Sequence, residues 1–366
     1  MKVAVLTSSR ADYGVYQPLL KALETDPEFD LELIIFGTHL SELHGRTISM
    51  IEEDGYKIFA KVPFLAQDNS LAGVSTAIAE NIKAFVPILE RSDHDIIFAL
   101  GDRFEMFAAV TAAFTQGKKI AHLHGGETTL GAIDNAFRHS ITHMSAVHFT
   151  GTEAYRQRVI ELTGSDQHVF NVGALSVDNM AQLKLLNIEG FKEQFDIDLS
   201  IPTVLITFHP ETIDPEKNPY HVHELLAALE EMSSFQQVIT MPNADPMGNM
   251  IRKEMNAYIA SHENAIGVEN FGALGYLSCM KHCAFMIGNT SSAFAEASFF
   301  PTPVINLGRR QEGRIRTPNI LDVEIKKDDI LGGVGKVDEI RDLERSYVYG
   351  NGRSAENIVA ILRELK

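Results

Sequence analysis

Short apolar runs alternate with amphipathic helical stretches along most of this chain, and the alternation runs through twice. A short continuous apolar run is buried on both faces, and a strand–helix–strand order joins parallel neighbours, so the pattern predicts doubly wound α/β structure. In the first series strands are expected at Val3–Thr7, Leu31–Phe36, Lys57–Val62, Asp95–Leu100, Lys119–Leu123 and Val147–Thr150. Helices read most clearly at Leu71–Leu89, Phe104–Thr115 and Ala154–Leu162. Around Val172–Asp196 the pattern loosens into helix and loop. A second series follows at Thr203–Phe208, Gln237–Met241, Ile266–Val268, Phe285–Ile287 and Val304–Leu307. A chain of 366 residues exceeds one ordinary core and suits two. The expected domains are 1–185 and 186–366, with a ligand cleft between them. The amphipathic helix near 354–365 is expected to pack back across the junction.

The formal net charge of −17 argues against nucleic acid and against an anionic membrane leaflet, both of which select a basic face. No apolar run approaches the ~20 residues that span a bilayer, and the start lacks the longer apolar core of a signal peptide, so the cytoplasm is expected. Cys279 and Cys283 sit four apart on one predicted helix, where two thiols alone make no zinc site.

In open α/β sheets ligands sit at the carboxyl ends of strands, so residues that follow strands carry the chemistry. After the first strand comes Thr7-Ser8-Ser9-Arg10-Ala11-Asp12, a small-residue turn able to aim N–H groups and a guanidinium at an anion. It is not a dinucleotide fingerprint. After the fourth comes Gly101-Asp102-Arg103-Phe104-Glu105. A carboxylate beside an arginine is costly to bury, which favours a site over a packing role. The fifth ends His122-Leu123-His124-Gly125-Gly126-Glu127, with His122 and His124 expected on one strand face, followed by Asp134 and a helix with Arg138, His139 and His143. Its histidines lack metal-site spacing and are expected to hydrogen-bond a sugar. In the second series His209-Pro210-Glu211, Pro242-Asn243 and Gly288-Asn289-Thr290-Ser291-Ser292 all follow strands, the last opening a helix with Glu296. Glycine, hydroxyls and free N–H groups there suit a phosphate, and Glu296 suits a ribose. Arg309, Arg310 and Arg314 cluster after what reads as the final apolar strand.

As an ordered set, SRADYG, GDRFE, HLHGGE with AIDNAFRHSIT, FHPET, PN, IGNTSSAFAE and PVINLGRRQEGR resembles the hydrolysing UDP-N-acetylglucosamine 2-epimerases of bacterial sialic-acid pathways. The resemblance extends to sister enzymes acting on UDP-diacetylbacillosamine. It implies two Rossmann-like domains in the glycosyltransferase-B arrangement, with UDP held mainly by the second. Candidate UDP contacts are Arg10, Arg103, Asn243, Phe271, Thr290, Ser291, Ser292, Glu296 and Arg310; candidate sugar contacts are His39 and Arg138. Acid/base roles map onto Asp102 and Asp134, with His209 also a catalytic candidate. Where the epimerase half of the animal bifunctional enzyme, which this chain also resembles, has a glutamate before Gly-Gly, this chain has His124, so the third role stays divided between His124 and Glu127. The resemblance also implies a homodimer or a tetramer.

The chemistry accounts for these groups. A C2 proton with no adjacent carbonyl is acidified only as the anomeric C1–O bond breaks, so UDP leaves first, through an oxocarbenium-like state, to a 2-acetamidoglucal. Water then adds at C1 while C2 is reprotonated from the other face, which needs groups on both sides of the ring. No redox cofactor and no metal are required. The rival readings are a UDP-sugar glycosyltransferase, which needs an acceptor site, and a non-catalytic sensor, which has no use for Asp102 and Asp134.

Overall fold

A computed structural model describes residues 1–42, 46–63, 71–242, 248–269 and 271–365. The chain forms two compact units. Unit 1 comprises Met1–Glu127, Asp134–Ala181 and Val348–Lys366; unit 2 comprises Thr128–Ile133 and Gln182–Tyr347.

Unit 1 is built on a parallel sheet of seven strands: β1 (Lys2–Thr7), β2 (Asp30–Ile35), β3 (Ile58–Lys61), β4 (Ile96–Leu100), β5 (Ile120–Leu123), β6 (Val147–Thr150) and β7 (Val169–Asn171). Their order is β3-β2-β1-β4-β5-β6-β7. Successive side chains point to opposite faces. Val3 and Val5 thus join Tyr16, Leu19 and Leu20 of the helix Arg10–Thr25 on one face. Ala4 and Leu6 meet Phe85 and Leu89, and Met106 and Val110, on the other. Unit 2 repeats the plan with β8 (Thr203–Thr207), β9 (Gln236–Thr240), β10 (Ala265–Val268), β11 (Phe285–Gly288), β12 (Val304–Leu307) and β13 (Ile320–Val323), ordered β10-β9-β8-β11-β12-β13. Winding reverses between β1 and β4 in one sheet and between β8 and β11 in the other. Those are the switch points where α/β sheets open a crevice.

The units depart from a single cut at 185/186: the boundary falls at 181/182, and two segments are exchanged across it. Residues 128–133 belong to unit 2, where Leu130 N donates to Glu312 O at 3.0 Å and Ile133 N to Thr212 Oγ1 at 3.1 Å. The helix Ser354–Glu364 belongs to unit 1. Its free N–H groups at Ser354 and Ala355 donate to the buried Asp178 carboxylate at 2.9 and 2.7 Å, so Asp178 caps it from far away in sequence. Its Ile358, Val359 and Leu362 complete the core against Tyr16 and Leu20.

The expected strands all form, while the edge strands β7 and β13 go unread in the sequence, so Val304–Leu307 is not the last strand. In the helix over Leu71–Glu90, Phe85 and Leu89 are wholly buried and Ile82 packs on the same core, while Val86 is exposed. Cys279 lies within the helix Gly272–His282 and Cys283 just past its end, and burial pushes both thiols up, Cys283 to about 12. Among the described residues, no helix is long and apolar enough to cross a membrane.

Candidate active site

In unit 1 the polar groups collect where β1, β4 and β5 end. Asp12 accepts hydrogen bonds from Thr7 Oγ1 (2.7 Å), Ser8 N (2.8 Å), Ser8 Oγ (2.7 Å) and Ser9 N (3.0 Å), which locks the turn after β1. Burial alone would raise its carboxyl, but His39 and the Ser8 donors more than offset that and hold it below the usual range. His39 is wholly buried, with Nε2 2.9 Å from Thr7 Oγ1 and Nδ1 2.8 Å from Thr47 Oγ1. It braces this turn rather than presenting a ring to a sugar. Arg10 opens the following helix and is exposed.

Past β4, Asp102 is ion-paired with Arg138, itself only 3% exposed. The other arm of that guanidinium donates to Glu127 O at 3.0 Å. Arg138, expected on the sugar, is thus engaged in fixing two candidate catalytic residues. Arg103 turns to the buried Glu105 at 3.2 Å. His122 Nε2 donates to Gly101 O at 2.8 Å and steadies the residue before Asp102. His124 does not share a strand face with His122 as expected: β5 stops at Leu123, and His124 takes a left-handed φ of 63°. Its Nδ1 lies 2.9 Å from Glu127 Oε1. Gly126 serves the protein rather than a ligand, because a Cβ there would stand 2.2 Å from Tyr155 O. Asp134 is the first residue of the helix Asp134–Met144 and is half-buried.

In unit 2 a chain of hydroxyls lines the ends of β8, β9 and β11. Thr240 Oγ1 lies 2.7 Å from Thr207 Oγ1, and Thr207 lies 3.4 Å from Tyr276 Oη. Tyr276 in turn lies 2.7 Å from Ser292 Oγ, and Ser292 lies 3.1 Å from Thr290 Oγ1. Burial pushes the Tyr276 phenol up to about 12, so it stays a neutral donor. Glu296 is half-buried, and its charge acts on Tyr276 in the same direction. The expected helix after Thr290 is instead a single 3₁₀ turn, Ser291–Ala293, followed by the short helix Ala295–Phe299. Anion binding here would rest on hydroxyls and loop N–H groups more than on a helix dipole. β11 can lie this close to β8 only because residue 288 is glycine: a Cβ would fall 1.9 Å from Thr207 O.

Asn289 ties this end together. Its side chain clamps the His209 backbone, accepting from N at 2.7 Å and donating to O at 2.8 Å. Its carbonyl accepts from Arg310 Nη1 at 3.2 Å and Gln311 Nε2 at 2.9 Å. Of the three clustered arginines only Arg310 turns toward the end of β11, since Arg309 pairs with Glu312 and Arg314 with the Gln311 side chain. Phe271 is packed between Phe191 and Phe195. Asn243 lies outside the described residues. Tyr276, Thr207 and Thr240 were not singled out in the sequence; the threonines closing β8 and β9 were the available signal.

Two doubly wound parallel sheets with polar side chains concentrated at both switch points define the class: an α/β protein of paired Rossmann-like units. The family model for UDP-N-acetylglucosamine 2-epimerase matches residues 21–363, and the chain belongs to that family. It is 34% identical over 325 residues to the GDP/UDP-N,N'-diacetylbacillosamine 2-epimerase (hydrolyzing) of Campylobacter jejuni, covering 88% of this chain and 84% of that protein. Identity is 30% to the UDP-N,N'-diacetylbacillosamine 2-epimerase (hydrolyzing) of Legionella pneumophila, over 100% and 96%. It is 26% to the UDP-N-acetylglucosamine 2-epimerase of Neisseria meningitidis, over 96% and 91%. In fold, the chain superposes over its full length on a Neisseria meningitidis UDP-GlcNAc 2-epimerase solved with UDP-GlcNAc, with a TM-score of 0.84 at 19% identity and all of that chain covered.

Proposed function

We propose that this chain is a hydrolysing 2-epimerase of a UDP-linked 2-acetamido sugar, and that its substrate is the N,N'-diacetylbacillosamine nucleotide rather than UDP-N-acetylglucosamine. The observation that carries the reaction class is Asp102, fixed at the β1/β4 switch point by the buried Arg138 that also holds Glu127. A merely nucleotide-binding protein has no need for a positioned carboxylate there. The substrate preference reverses the order expected from sequence. It is supported by relatives of that name at 34% and 30% identity, against 26% for the UDP-N-acetylglucosamine enzyme.

In this reading unit 2 binds UDP. Thr290, Ser292 and Tyr276 donate to phosphate oxygens, Arg310 offsets the charge that grows on the leaving diphosphate, and Glu296 accepts from the ribose. Unit 1 supplies proton transfer through Asp102, Asp134 and one further group. Departure of UDP with loss of the C2 proton gives a 2-acetamidoglycal with a C1=C2 double bond, and water adding at C1 with a proton at C2 from the opposite face yields the free 2-epimer. Incubation with each UDP-sugar alone, followed by UDP release and proton NMR of the sugar, tests it. Faster release from the diacetylbacillosamine nucleotide is expected. Faster turnover of UDP-N-acetylglucosamine to N-acetylmannosamine reverses the preference, and no release from either ends the reading. A homodimer or tetramer belongs to the same reading and is checked by light scattering.

A further inference from the structure

The third proton-transfer role, divided in the sequence between His124 and Glu127, is separated by geometry within unit 1. His124 extends the β5 ladder by one bond, its N donating to Phe149 O at 3.0 Å, and then turns through its left-handed φ. Its Nδ1 lies 2.9 Å from Glu127 Oε1. An ionised carboxylate only accepts, so Nδ1 carries the ring proton and Nε2 of the neutral ring presents a lone pair. Nε2 is shielded from solvent and has no hydrogen-bond partner among the described residues. A second ring N–H there would be a buried donor left unsatisfied, so the same burial favours the lone-pair form. Glu127 is itself only 7% exposed, and its carbonyl is held by the arginine that grips Asp102. The charged and titratable groups around the ring are therefore Glu127, His122, Arg138 and, through Arg138, Asp102. A carboxylate orienting an imidazole whose far nitrogen keeps an unpaired lone pair is the arrangement of a general base.

We propose that His124 is the base that removes the C2 proton and that Glu127 is its positioning residue. The inference rests on the 2-epimerase reading above. As the C1–O bond breaks and its electron pair leaves with UDP, Nε2 binds the C2 proton and the C2–H pair becomes the C1=C2 bond. The imidazolium keeps its Nδ1–H on Glu127 and gives up the new proton to water admitted when the products leave. Reprotonation at C2 then falls to a carboxyl group, Asp102 or Asp134.

The test uses the whole chain with UDP-N,N'-diacetylbacillosamine and UDP-N-acetylglucosamine. Wild-type protein is assayed first, and failure to release UDP from either defeats the parent reading separately from this one. His124→Asn, whose side chain tolerates a left-handed backbone, is expected to slow UDP release ~10²–10⁴-fold. UDP affinity and melting temperature should stay at wild-type values, and added imidazole should recover part of the rate. Glu127→Gln, which keeps an acceptor on Nδ1, should lower kcat about 10–100-fold with KM unchanged. It should also move the acid limb of kcat/KM to lower pH, because the imidazolium loses its counter-charge. UDP release by His124→Asn within threefold of wild type overturns the proposal. So does a Glu127→Gln variant as slow as His124→Asn with no movement of the limb, an outcome that makes Glu127 the base. Should His124→Asn melt early, the limb shift in Glu127→Gln decides alone.

Discussion

His122 and His148 lie opposite each other on β5 and β6, 0% and 3% exposed, beneath the helix that carries Asp134 and Arg138. Burial pushes both rings down, His122 to about 3 despite its bond to Gly101 O and His148 to about 4 despite its bond to Ser145. An unfolded histidine titrates near 6.5. The folded values lie below the unfolded one, so the stabilisation is complete above about pH 6.5 and is lost as pH falls toward 4 and 3. Each site should steepen the fall by about 1.4 kcal/mol per pH unit once below the unfolded value, or about 2 kcal/mol between pH 7 and pH 5. Together, about 4 kcal/mol is a large part of the ~5–15 kcal/mol that holds a typical domain folded. The chain has no tryptophan, so urea unfolding at pH 7, 6 and 5 is best followed by circular dichroism. His148→Gln and His122→Gln cost stability at pH 7 but remove one titration each, so their stability should fall less steeply on acidification than that of wild type. Parallel slopes in all three proteins would refute the reasoning.

Asp102→Asn and Asp134→Asn should each slow turnover ~10²–10⁴-fold while UDP affinity, measured by calorimetry, stays unchanged, since the hydroxyl chain and Glu296 belong to unit 2. Tyr276→Phe and Glu296→Ala should weaken UDP binding by about 1–3 kcal/mol; unchanged affinity in both moves the nucleotide elsewhere. Gly288→Ala should destabilise unit 2 by several kcal/mol, roughly 3 or more, because its methyl meets the Thr207 backbone; wild-type urea stability would contradict that. Exhaustive chelation should leave UDP release intact, and a loss restored by a divalent ion would refute the metal-free reaction.

The strands were legible because Val3–Thr7 or Val204–Phe208 is a run too apolar to be anything but buried. β7 and β13 were not, because three- and four-residue edge strands such as Val169–Asn171 carry too little pattern to separate from loop. Motif positions followed from strand ends, yet motif roles did not. Nothing in the sequence distinguishes a histidine that braces a turn, His39, from one that leaves a ring nitrogen unpaired, His124. The difference lies in which neighbours each ring meets: Thr7 and Thr47 for one, Glu127 for the other. Arg138 was read as a ligand contact for the same reason, since its engagement with Asp102 joins residues 36 apart. Turn chemistry also outweighed pattern at Thr290, where hydroxyl bonds favour a 3₁₀ turn over the expected helix.

The capping of Ser354–Glu364 by Asp178 bears on how the protein is made. Strands β1 to β7 and Asp178 itself have all been synthesised long before this helix, which follows Asp178 by 176 residues. A nascent unit 1 therefore waits with Tyr16, Leu20 and Leu175 uncovered and with the Asp178 carboxylate lacking the N–H groups it accepts from. All of unit 2 except Thr128–Ile133 leaves the ribosome during that wait. The first-made half is thus the last to be finished, and its apolar face is a natural landing place for a chaperone until the closing helix arrives.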